Sequence, residues 1–149
     1  MTEINIDMLT EIEEIQAILS LHYDAKNYIE DFDWCVSIKK CWYDKDHSIY
    51  EKIGIFLFEI EPINNIVDNF IWVIVGDLPS VYLDKSVMTG EEALRTYCEL
   101  MQEWADNVKS EKSLDECYPV PVDPTTENAD LLISRISFIR REILMTKDE

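Results

Sequence analysis

Residues Phe70–Leu83 read FIWVIVGDLPSVYL, and this stretch decides the fold. Six apolar residues, Phe70 to Val75, run without alternation and stop at Gly76-Asp77-Leu78-Pro79. An unalternating apolar run bounded by turn residues marks a strand buried on both faces, so it belongs inside a sheet. Gly76 tolerates backbone conformations closed to other residues, and Pro79 holds Leu78 extended. Val81 to Leu83 is then a short strand returning along the first. Asp77 has two readings here. It is a turn carboxylate accepting local N–H bonds, or it faces a ligand at a strand end together with Tyr82.

Two further strands precede this one. Trp34–Tyr43, WCVSIKKCWY, is rich in aromatic and β-branched residues, with Trp34, Val36, Ile38 and Trp42 expected on one face. Ile53–Ile60, IGIFLFEI, carries Gly54 inside it, a sign of a bulge or a close backbone approach. The connections DKDHS and Pro62-Ile63-Asn64-Asn65 are polar turns, so the strands should form an antiparallel meander of three to four strands.

Helices are expected on both sides of the sheet segment. Met8, Ile12, Ile15 and Leu19 predict an amphipathic helix over 7–22 with Asp7 as N-cap, followed by a loop or a short helical turn over 23–33. Thr89 and Glu92 form a capping-box pattern before the stripe Leu94, Tyr97, Met101, Trp104, Val108. Asp123-Pro124 signals the start of a last helix over about 125–145, with Ala129, Leu132, Ile136, Ile139 and Ile143 inward and Arg140, Arg141 and Lys147 near its end. The expected class is α+β: one domain over 1–149, with an N-terminal helix, a meander sheet and two C-terminal helices packed on it.

Charge is the unusual quantity. The 149 residues hold 31 acids and 13 bases, a net charge of −18, and the first 69 residues alone hold 15 acids and 5 bases. Such a surface repels nucleic acid and favours a basic protein partner. The acidic turns flanked by aromatics, Asp31, Asp33, Trp42, Tyr43, Asp44, Asp46 and Tyr50, have the composition of an interaction surface. A candidate pocket or plain turn lies at Gly76, Asp77, Pro79 and Tyr82.

No motif dictates chemistry. There is no nucleophile elbow and no glycine-rich phosphate loop, and Asp44 and Asp46 lack the rest of a calcium loop. His22 and His47 read as exposed histidines. Cys35, Cys41, Cys98 and Cys117 contain no CxxC pair and read as reduced, mostly buried thiols; Cys35 and Cys41 share a strand face roughly 20 Å apart. No catalytic residue, metal or cofactor is assigned. The apolar runs are too short to span a membrane, and MTEINIDMLTEIEEIQ lacks the features of a signal peptide, so a cytoplasmic protein is expected.

The order IGIFLFEI, WVIVGDLPSVYL (Trp72–Leu83) and EEALRTYCELMQEW (Glu91–Trp104) resembles an uncharacterised family of small acidic bacterial proteins. In that family a Trp-containing strand runs into a Gly-Asp-Leu-Pro turn and a Tyr. The resemblance covers about residues 53–108 and implies no catalytic role. In size, charge and lack of catalytic motifs the chain also resembles immunity proteins, which implies an inhibitor that neutralises a basic toxin, such as a nuclease, by direct contact. Two other readings stand beside it: a small enzyme or ligand-binding protein using the Gly76–Tyr82 turn, and a module that self-associates through a sheet face.

Overall fold

The computed structural model describes residues 4–12, 18–49 and 52–144. The chain forms two compact units, residues 1–94 and 95–149. The class is α+β, with one antiparallel sheet and two helices in the C-terminal part.

The sheet belongs to the first unit. Its strands are β1 (Thr10–Glu11), β2 (Cys35–Tyr43), β3 (Ile53–Pro62), β4 (Phe70–Gly76) and β5 (Val81–Leu83), in the order β1-β2-β3-β4-β5. All neighbours are antiparallel, so β2 to β5 form the expected meander. The fifth strand, β1, adds to the edge by pairing Thr10 with Tyr43 and Glu11 with Trp42. The centre is the seven-pair ladder of β3 and β4, from Ile53↔Gly76 to Glu59↔Phe70. Its alternation sends Phe56, Phe58, Ile71, Val73 and Val75 into one core cluster. Ile55, Leu57, Trp72 and Ile74 take the opposite parity and have no exposed surface either. Burial on both faces, expected from the unalternating β4 run, is therefore present in β3 as well. The Trp72 indole N–H, which could not be left unpaired there, donates to the Val87 carbonyl at 2.8 Å.

The first helix is α1, Leu19–Glu30, and this corrects the expected helix over 7–22. Ile6–Met8 is a 3₁₀ turn and Thr10–Glu11 is strand, while Glu13, Glu14 and Ile15 lie outside the described residues. Met8 and Leu19, two members of the expected stripe, are solvent-exposed. The residues that reach the core at helical spacing are Leu21, within the expected helix, and Ala25 and Ile29, in the stretch that reads as a loop or a short helical turn. A stripe of one alanine and two aliphatics is narrow, and the neighbouring Tyr23, Asp24, Lys26 and Asn27 mask it. The helix approaches the sheet over Gly54, where Leu21 lies against the backbone.

The inward face of β2 also differs from expectation. Cys35, Ile38, Cys41 and Tyr43 join the core, Val36 is exposed, and Trp42 is buried on the other face. Register shifts between Cys35 and Ser37 and between Ile38 and Lys40 each displace the alternation. Two shifts cancel, which leaves Cys35 and Cys41 on a common face as expected. All four cysteines are free and buried.

In the second unit, α2 (Gly90–Lys109, beginning in the first unit) and α3 (Thr126–Ile139) run antiparallel. Lys109 pairs with Asp130 at 2.7 Å, Arg140 donates to Gln102 at 2.9 Å, and Arg95 donates to the Leu144 carbonyl at 3.4 Å. The expected stripe of α2 is buried through Trp104, with Val108 half-buried. The cap of α3 is Thr125, whose side chain accepts from Asn128 N–H, and not Asp123. Asp123 contributes only its carbonyl, to the Asn128 side chain. A π-helical turn, Arg140–Leu144, follows α3. The wider turn moves the inward position from Ile143 to Leu144, five residues after Ile139. Residue 145 and Lys147 lie outside the described residues.

Gly76 has φ +143°, and a Cβ there would overlap the Lys52 carbonyl oxygen. We expect Gly76→Ala to destabilise the fold by about 1–3 kcal/mol in chemical denaturation. Ile29→Ala should cost about 2–5 kcal/mol, whereas Tyr23→Ala on the exposed face of α1 should stay within about 0.5 kcal/mol. Equal effects at 23 and 29 would refute the assigned face of α1.

Candidate functional site

The first unit carries 19 Asp and Glu against 6 Lys and Arg, an excess of thirteen acids. Its ion pairs include Lys26–Glu30 at 3.1 Å and Lys85–Asp68 at 4.0 Å, both between partly exposed side chains. The meander has two ends, and they differ in chemistry.

One end holds the start of β2 and the end of β3. Here the chain leaves α1 through Asp31-Phe32-Asp33-Trp34, whose polar and apolar residues alternate. Both aspartates are exposed and both rings are half-buried. Phe32 stacks on Trp34 with centroids 4.9 Å apart, and Tyr82 of β5 leans on both at 5.0 and 5.1 Å. Tyr28 of α1 meets Phe32 edge-on at 5.3 Å. The next loop is tied on directly, since Ile63 N–H donates to the Trp34 carbonyl at 3.0 Å. Within it the Asn64 side chain accepts from the N–H groups of Ile66 and Val67, a tight turn that holds Ile66 out at 89% exposure. Ile63 is 56% exposed. Stacked rings and protruding aliphatics beside unpaired carboxylates have the make-up of a protein interaction surface.

The opposite end holds the loop after β2. Asp44 is 3% exposed, and it is the buried acid among the described residues. Its Oδ1 accepts from the N–H groups of Asp46 and His47, and its Oδ2 lies 2.9 Å from His47 Nδ1. His47 Nε2 lies 3.9 Å from Glu91 Oε1, in the first turn of α2. That turn is capped as expected by the Thr89 hydroxyl, which accepts from Glu92 N–H, while the Glu92 carboxylate accepts from Met88 N–H. Gly90 sits against Asp44, and any side chain there would overlap its carboxylate. The hydroxyl that could complete a nucleophilic set, Ser48 Oγ, is committed: it donates to the Asp44 carbonyl and accepts from Ile55 N–H. The arrangement therefore works as a clamp between the 44–48 loop and the start of α2.

His22 and His47, read from sequence as exposed, are both half-buried and both perturbed. The hydrogen bond that the His47 ring N–H donates to Asp44 holds the His47 pKa above its ordinary value, with burial opposing and the Asp44, Glu91 and Asp46 charges adding. His22 stacks on Phe58, and burial, then the Lys26 charge, lowers its pKa. Asp44 and Lys26 are near these histidines in the chain, whereas Glu91, Phe56 and Phe58, which complete their surroundings, are distant in it.

The sequence candidates divide between the two ends. Asp31 and Asp33 lie at the aromatic end. Trp42, Tyr43 and Asp44 are buried at the clamp end with Asp46 exposed beside them, roughly 30 Å away along β2. Tyr50 lies outside the described residues. Asp77 is exposed, and its N–H donates to the Lys52 carbonyl at 2.8 Å. Gly76 pairs with Ile53 at the end of β4, and Pro79 follows in the turn. Tyr82 pairs with Val73, four residues before Asp77 in β4 and roughly 13 Å from it along the strand. Its ring packs with Phe32 and Trp34. Phe32, Ile63 and Ile66 escaped the sequence reading, since an exposed isoleucine is visible only once its turn is built.

No group of three or more His, Cys, Asp or Glu among the described residues is placed to hold a metal ion, and no helix among them is long and apolar enough to cross a membrane. Comparison with protein-family models, curated proteins and solved structures finds no match to this chain.

The clamp makes a testable statement about pH. A raised native pKa means that protonated His47 supports the fold fully below about 6.5 and loses that contribution as pH rises through the native value. In an NMR titration His47 should show a midpoint above about 6.5 and His22 one below it. Asp44→Asn should bring the His47 midpoint down; an unchanged midpoint would refute the clamp.

Proposed function

We propose that this chain is an acidic binding protein of the immunity or inhibitor type. In this reading it works in a bacterial cytoplasm and neutralises a basic toxin, plausible substrates of which include nucleic acids, by direct contact. The observation that carries the reading is the uncompensated charge of the first unit, 19 acids against 6 bases on a small folded body. Such a field accelerates and orients the approach of a positive protein and rejects nucleic acid and anionic membrane surfaces. It also opposes association between copies of the chain.

The test is kinetic. A basic protein captured at low salt, released by high salt and toxic when expressed without this chain should associate with an on-rate that falls roughly tenfold or more between low and physiological ionic strength. An on-rate indifferent to salt would count heavily against recognition by charge.

A further inference from the structure

We infer that the partner is received at the aromatic end of the meander, where an arginine-bearing segment of a basic protein docks on Phe32, Trp34 and Tyr82 between Asp31 and Asp33. The inference rests on the preceding reading and assigns it a surface. Three observations converge there. Phe32 and Trp34 are stacked at 4.9 Å, Tyr82 meets them edge-on and tilted at 5.0 and 5.1 Å, and all three are half-buried, so they form a preorganised platform that loses little side-chain freedom on binding. The two aspartates are exposed and interleaved with those rings in the chain. Ile66 is held in solvent by the Asn64 turn, an arrangement that stabilises no contact within the first unit and fits an apolar anchor.

The chemistry selects the occupant. Planar guanidinium groups stack on aromatic faces while pairing with carboxylates, which an ammonium does less well. A second copy of the chain would bring equal negative charge to the same place. Nucleic acid and anionic lipid are repelled for the same reason.

The other end provides an internal control, because Asp46 and Asp77 are also exposed acids. The probe is a nine-residue arginine peptide, titrated into the ¹⁵N-labelled full chain at low salt, with a nine-residue lysine peptide alongside. The strongest shifts should fall on Phe32, Asp33, Trp34, Ile63 and Ile66, with the arginine peptide the tighter of the two. Replacing Asp31 and Asp33 together by Lys should weaken binding about tenfold, while the charge-matched pair Asp46→Lys and Asp77→Lys should change it less than about threefold. All four positions are exposed, so the variants keep the core intact. Equal losses from both pairs, or shifts spread evenly over the surface, would overturn the assigned surface and leave the charge-based function standing. Failure of both peptides to bind at low salt would overturn both.

Discussion

Everything in the first unit depends on the ladder between β3 and β4. Seven successive pairs place two apolar runs side by side, and their pleat divides the side chains between two faces. Neither face can be left wet. Phe56, Phe58 and Val73 draw in α1 through Leu21, Ala25 and Ile29. Trp72, on the other face, also needs an acceptor for its indole, and finds it at Val87 in the segment leading to α2. The ladder thereby sets the position of elements on both sides of it. Its ends are sharp because Gly76 and the Lys52 carbonyl close one of them in a conformation no side chain tolerates.

A core of this kind permits a surface that is electrostatically unfavourable. A net charge of −18 works against a compact state through self-repulsion. The chain limits the penalty by keeping its carboxylates in water, where screening is strongest. Asp44 is the exception, and its oxygens are occupied by two backbone N–H groups and the His47 ring. Burial of that acid is compensated locally, so it serves the fold rather than the external field.

The two ends of the sheet consequently differ in what they offer. At the clamp end, Trp42, Tyr43 and Asp44 are buried, and the Asp44 oxygens are satisfied by the loop itself. At the opposite end, rings and aspartates alternate along Asp31–Trp34 and remain partly in solvent. The same composition, acids beside aromatics, occurs in both turns. Their roles separate because the 44–48 loop is closed over by Gly90 and Glu91, whereas in the 31–34 segment Phe32 and Trp34 are only half-buried, Trp34 against the core, and Asp31 and Asp33 stay exposed.

What the amino-acid sequence determined by itself is local. The unalternating run at Phe70–Val75 specified a strand buried on both faces. Gly76-Asp77-Leu78-Pro79 specified the turn, Thr89 and Glu92 the start of α2, and the acid excess the sign of the field. Each of these follows from neighbours a few residues apart. Only the tertiary structure decided which face of β2 is inward, because two register shifts arise from pairing with β3. Only it decided that Tyr23–Glu30 is helical, because Ala25 and Ile29 gain their stability from the sheet beneath them. The Glu91 contact of His47 and the Tyr82 contact of Trp34 come likewise from residues tens of positions away, since such contacts are not contained in local sequence.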